Sequence, residues 1–304
     1  MRSRLHMTVA ASMLVLGLGG VVASLSLAVR PKVPSVALPL ASEHAQEPQA
    51  QASRSYHLVA CGDILLSRTP GKRAAEHGFR YLFAGARKIL EGSDLAFANL
   101  ETPVSYLGEP WPGKPPVVTF RSDPESLYGL AWAGFDVVSL ANNHMNDYGP
   151  RALEETLAFL DLLGVARTGA GMNLDEARKP AVLDRDVKRF VFLAYAEPIW
   201  SARGARADAR SMRVTRAELL GHGTNIQLGF SPDSDDGERS PAGLAHASIA
   251  DMQADMEAAK RELQPDYLFV SVHWGDEHQH YPTAAQRAFG RAAIDAGAAA
   301  VLGH

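Results

Sequence analysis

The chain is 304 residues long, 46% hydrophobic and 21% charged, with a net charge of −4, enough apolar material for a substantial core and unlike a disordered or fibrous sequence. Its basic residues are dispersed and outnumbered by acidic ones, which argues against nucleic acid as a partner, because no basic run is there to neutralise a phosphate backbone. Cys61 is the only cysteine, so no intramolecular disulfide can form, and its place in His57-Leu-Val-Ala-Cys-Gly62 suits a small buried hydrophobe rather than a reactive thiol.

In chain order, Arg2 and Arg4 precede an uncharged stretch from Met7 to Val29 that Arg30 and Lys32 close. Its length matches the roughly 20 residues that a membrane-crossing helix needs. Residues 1–30 therefore read as a signal-anchor or signal peptide, and the expected placement is the cell membrane, single-pass, with an extracytoplasmic domain. Secretion after cleavage is the alternative. Residues 31–55, rich in Pro, Ala, Gln, Ser and Glu, read as a flexible linker.

From residue 56 to 304, short apolar runs alternate with amphipathic ones, the pattern of an α/β domain. The predicted strands are His57–Cys61, Asp94–Ala98, Phe135–Leu140, Val165–Thr168, Ala181–Leu183, Arg189–Tyr195, Asp266–Val272 and Ala298–Leu302. Helical spacing marks Tyr81–Leu90, Pro124–Ala133, Pro150–Leu163, Ala247–Leu263 and Ala284–Ala296. Between Pro198 and Gly243 the chain is polar and aperiodic, a long loop or insertion in which Arg203, Arg206, Arg210, Arg213 and Arg216 form either a solvated strip or a contact for an anionic polymer.

Five of these strands finish in oxygen or imidazole side chains: Gly62-Asp63, Asn99-Leu-Glu101, Asn142-Asn143-His144, His273-Trp-Gly-Asp-Glu277 and Gly303-His304. In α/β folds, sites gather at such ends. Carboxylates and neutral imidazoles brought together away from water need either a cation or extensive hydrogen bonding. Both a metal site and a buried polar network fit. A thiolate-free O/N donor set suits Mn, Fe or Zn, admits Mg, and suits calcium poorly.

Together these segments resemble the capsule synthesis protein CapA family, the poly-γ-glutamate synthesis and export proteins related to calcineurin-like metallophosphoesterases. The resemblance is carried by Gly62-Asp-Ile-Leu-Leu-Ser-Arg68, Asn99-Leu-Glu101, Gly134-Phe-Asp-Val-Val-Ser-Leu-Ala-Asn-Asn-His144 with Asp147-Tyr-Gly149, Thr168-Gly-Ala-Gly171, His273-Trp-Gly-Asp-Glu277, Asp295-Ala-Gly297 and Gly303-His304. It implies a layered α/β/β/α sandwich of metallophosphoesterase type holding one or two divalent ions. By the same resemblance, Asp63, Glu101, Asn143, His273 and His304 are metal ligands and His144 is the catalytic group facing substrate. Asn142, Asp147, Glu277 and Arg68 bind substrate or support the ligands.

Two departures stand out. Where the phosphoesterase pattern has a histidine two residues after the first aspartate, this chain has Leu65, so the first metal position is weakened, empty, or rebuilt by Glu277 or Asp147. The family pattern also continues beyond Gly-His, so the domain is expected to be truncated at its C-terminus. Three functions follow: production of an anionic capsule or poly-γ-glutamate polymer beside membrane synthase or export subunits, metal-dependent phosphoester hydrolysis, or non-catalytic polymer binding.

Overall fold

The computed structural model describes residues 54–197, 243–275 and 278–304, and Arg54–His304 forms one compact unit. The first sheet has order β1-β2-β3-β4, all parallel: β1 (Leu58–Ile64), β2 (Leu95–Leu100), β3 (Val137–Ser139) and β4 (Ala166–Thr168). In the second, β10 (Ala300–Gly303), β9 (Tyr267–His273) and β7 (Lys188–Ala196) run parallel, while β6 (Ala181–Arg185) pairs antiparallel with β7. A two-residue pair, β5 (Ala170–Gly171) with β8 (Gly243–Leu244), has no counterpart in the expected elements because runs this short carry no periodicity.

Alternation along the strands explains the layers. On β2, Ala96, Ala98 and Leu100 face one cluster while Leu95 and Phe97 face another; on β7, Val191, Leu193 and Tyr195 alternate with Phe190 and Phe192. Phe97, Phe192 and Phe269 stack between the sheets, at centroid separations of 5.7 and 4.8 Å. Outside the first sheet, α3 (Ser126–Ala133) and α4 (Gly149–Leu163) supply Leu127, Leu130, Leu153 and Leu157. Outside the second lie Met252, Met256 and Phe289 of α6 (Ile249–Leu263) and α7 (Ala284–Asp295). The result is helices, sheet, sheet, helices, as the pattern of two-faced strands requires.

Helix limits follow local chemistry. Pro150 lies in the first turn of α4 and left-handed Gly164 closes it. Thr283 and Gln286 form a reciprocal capping box on α7. The region expected as one helix over Tyr81–Leu90 is instead a 3-10 turn, Phe79–Phe83, followed by α2 (Arg87–Glu91). The remaining helices among the described residues are α1 (Arg68–His77) and the single turn α5 (Leu174–Ala177).

The expected single-pass membrane placement is overturned: among the described residues no helix is long and apolar enough to cross a membrane. The longest of them, α4 and α6, have 15 residues each, about 22 Å of helix against a hydrocarbon core of about 30 Å. Both are also charged along one face. The stretch over residues 1–30 on which that expectation rested, the linker through residue 53, and the arginine strip all lie outside the described residues, as does Glu277.

Candidate metal centre

The polar strand ends converge because they share one face. On β2, Asn99 and Glu101 continue the parity of Leu95 and Phe97, which point between the sheets. On β9, Ser271 and His273 follow Phe269, and after β10, His304 follows Ala300 and Leu302. The site is thus the polar end of the inter-sheet layer. Only β1 breaks the rule.

Val59 and Cys61 pack on the helical side of the first sheet, so plain alternation would send Asp63 there too. Between Ala60 and Asp63, however, the register slips: Ala60 pairs with Phe97 but Asp63 pairs with Asn99, one extra residue on β1. This bulge reverses the parity, returns Ile64 to the helical side and turns Asp63 towards the second sheet.

There Asp63 Oδ1 lies 3.0 Å from His304 Nδ1 and 3.7 Å from His273 Nδ1, and accepts a hydrogen bond from Asn99 Nδ2 at 2.8 Å. Asp63, His273 and His304 each offer a ligand atom, all within 4.8 Å of one another, close enough to chelate a metal ion. Both rings are braced from behind. Ser271 Oγ bonds His304 Nε2 at 2.8 Å, and His273 Nε2 bonds Asn143 Oδ1 at 2.9 Å, leaving both Nδ1 atoms facing Asp63. Outer bonds of this kind orient metal-binding imidazoles and fix their tautomers.

The electrostatics fit a cation. Burial pushes the Asp63 carboxyl up, but hydrogen bonds from His273, His304 and Asn99 outweigh it and hold Asp63 well below the usual range. Glu101, 3.5 Å from His273 Nε2, goes the other way: burial, then repulsion by Asp63, pushes it up to about 7. Burial also holds His304 below the ordinary imidazole value. The donor set is two imidazoles and one carboxylate without sulfur, suited to a first-row divalent ion. The Asp63 side chain is 36% exposed, which leaves one side open.

Beside this cluster, Lys114, His144 and Asp147 form a second polar group. Lys114 Nζ donates to Asp147 Oδ1 and, at 3.0 Å, to the Asn143 carbonyl, and lies 3.2 Å from His144 Nδ1. Asp147 Oδ2 accepts from the Phe120 amide at 2.7 Å and lies 2.9 Å from His144 Nδ1. As an acceptor, it requires the proton on Nδ1. His144 Nε2 then faces Glu101 Oε1 at 4.0 Å. The ring stacks on Phe120 at 4.3 Å, and burial keeps its pKa below the ordinary value.

Of the residues expected at the site, Asp63, Glu101, Asn143, His144, His273 and His304 lie together, linked by the contacts above. Asn142 is turned inward: its amide donates to Asn99 Oδ1 and the Leu100 carbonyl, and its Oδ1 accepts from the His144 and Met145 amides. Asp147 commits both oxygens to Lys114, His144 and Phe120. Arg68 is exposed, with its guanidinium 5.5 Å from the outer partner in the stack, Phe120. Three contributors had been given no role: Ser271, Lys114 and Asn99. Asn99 shares the face of Glu101 two positions on, a signal that was readable. Lys114 sits in Gly113-Lys-Pro-Pro116, which reads only as a turn.

Fold and site define an α/β/β/α sandwich with an Asp-His-His cluster able to chelate a metal at its strand ends. The particular family is set by comparison: residues 57–304 match the family described as bacterial capsule synthesis protein PGA_cap, and the chain belongs to it. It is 24% identical to the capsule biosynthesis protein CapA of Bacillus anthracis, over 81% of this chain and 53% of that protein. With the PGA biosynthesis protein CapA of Bacillus subtilis the identity is 26%, over 80% of this chain and 55% of the relative. A probable polyglutamine synthesis accessory protein of Mycobacterium tuberculosis is 28% identical over 86% and 62%. The chain thus spans about half the length of the Bacillus relatives it matches.

Proposed function

We propose that this protein binds a divalent transition ion, Mn, Fe or Zn, at Asp63, His273 and His304 and hydrolyses a phosphoester there. The observation that carries the reading is the convergence of three ligand atoms whose imidazoles are braced from outside. Glu101 and Asn143, both near His273 Nε2, would hold a second ion. When bound, such ions supply Lewis acidity towards a phosphoryl oxygen and acidify water.

The protein's own residues do the rest. Asp147 fixes the His144 tautomer, so His144 Nε2 is the atom that exchanges a proton with substrate. Arg68, exposed at the outer end of the Phe120 stack, attracts an anionic group. Glu101 repels an anion unless a cation stands between.

Elemental analysis of the folded protein should give near-stoichiometric Mn, Fe or Zn, and Asp63→Ala and Asn143→Ala should abolish turnover of a generic phosphoester while sparing the fold. Equal activity in wild type and variants would defeat the reading. Family membership favours a second one, a part in making an anionic capsule or poly-γ-glutamate polymer. A deletion strain that kept its surface polymer would count against that.

A further inference from the structure

Next to the cluster lies an open pocket of about 290 Å³ that shares His304 with it. Its volume is at the small end for ligand sites, room for one monomer unit rather than a length of polymer. Trp274 and Tyr281 give it aromatic walls, and Gln279, Thr283 and Gln286 give it neutral hydrogen-bonding groups. Glycine shapes its floor: a Cβ on Gly303 would lie 3.0 Å from Trp274 Nε1, and one on Gly275 would lie 2.6 Å from Gln286 Nε2. Among the described residues neither of these two N–H groups has a protein acceptor.

Charge selects the occupant. Among the described residues, no Asp, Glu, Lys or Arg lines the pocket. The first turn of α7 borders it, but the capping box ties the Thr283 amide to Gln286 Oε1 at 2.6 Å and the Gln286 amide to Thr283 Oγ1 at 3.1 Å. The helix end is therefore not an open anion hole. A carboxylate-bearing unit, such as a glutamyl residue, would lose its hydration there without gaining a cationic side chain from the described lining residues. A sugar ring would place its apolar face on an aromatic wall and its oxygens against neutral donors.

We propose that this pocket is a sugar subsite, so that the ester presented at Asp63, His273 and His304 is one carried by a glycosyl unit. The substrate class rests on the phosphoesterase reading above; the pocket's taste for sugar does not. The test uses the 304-residue chain loaded with manganese and measures the affinity of inorganic phosphate, a hexose 1-phosphate and phosphoserine by calorimetry. In parallel, a methyl hexoside is titrated into chelator-treated protein while the Trp274 indole N–H signal is followed by NMR.

The hexose phosphate should bind at least about tenfold tighter than phosphate or phosphoserine, and the hexoside should shift the Trp274 signal. Tyr281, 87% exposed, can be replaced without harm to the fold. Tyr281→Ala and Gln279→Ala should each reduce hexose phosphate to the level of phosphate and leave phosphate itself unchanged. Equal affinities for hexose phosphate and phosphate, or tighter phosphoserine binding, overturn the subsite. If phosphate fails to bind but the hexoside still moves Trp274, the subsite stands and the phosphoesterase reading falls. If neither binds, both fall.

Discussion

Two polar groups, one buried and one open on a side, lie next to each other in this protein and differ in their charge balance. The Lys114-Asp147-His144 group carries its own counter-charge: the ammonium meets the carboxylate, and every oxygen of Asp147 has a donor. The Asp63-His273-His304 group, with Glu101 beside it, has two carboxylates and, among the described residues, no Lys or Arg paired with either. Burial therefore produces an ion pair in one place and a proton-holding acid in the other, with Glu101 pushed up to about 7. A network with balanced charge supports the fold; one with surplus carboxylate attracts a cation.

The largest effect should come from breaking the charge-balanced group. Lys114→Met strands Asp147, 1% exposed, and should cost about 3–5 kcal/mol of stability in urea unfolding. Adding Asp147→Asn should restore most of it. If the single variant were as stable as wild type, the ion pair would not be holding the turn.

A somewhat smaller effect should appear in the carboxylate-rich group. Glu101 ordinarily titrates at 4.5 and here near 7, so the folded state binds more protons between those values and stability falls as pH rises through them. His144 and His304, held low by burial, act in the opposite sense below pH 6.5; Asp63 acts only below its ordinary 3.8. The falling component is therefore read as a difference. In metal-free protein, Glu101→Gln should gain about 3 kcal/mol over wild type between pH 4.5 and 7.5. Loading manganese should remove that gain, and a gain unchanged by metal would separate Glu101 from the ion.

The smallest expected change is at a bracing hydroxyl. Ser271→Ala removes the bond to His304 Nε2 and should weaken metal affinity about 10–100-fold with little change in unfolding. Isothermal titration with Mn reads it directly, and unaltered affinity would show that His304 is oriented by packing alone.

Much of this was legible in the residues. The two faces of β2, β7 and β9 are written in their alternation, and the polar strand ends stand out because each interrupts an apolar run. Boundaries shifted where partners rather than propensity decide: the first strand was expected to end at Cys61 but continues through Ile64, because β2 goes on pairing with it. The site could be read as far as its residues lie at strand ends. Lys114 could not, since its importance arises from a loop folding over Asp147, a contact 33 positions apart. The membrane placement drawn from apolar length over residues 7–29 finds no spanning helix among the described residues, which do not include that stretch.

The one-residue slip between Ala60 and Asp63 has a consequence for tinkering with this fold. Strand side chains change sides with every step, so deleting Gly62 alone would remove the extra residue and leave Asp63 opposite Asn99 by plain pairing, still turned towards the two histidines. Plain alternation with all residues kept would instead swing the carboxylate round to Leu66 and Leu100 on the helical side. Chelation with a shortened strand would then trace to phase along that strand rather than to the composition alone.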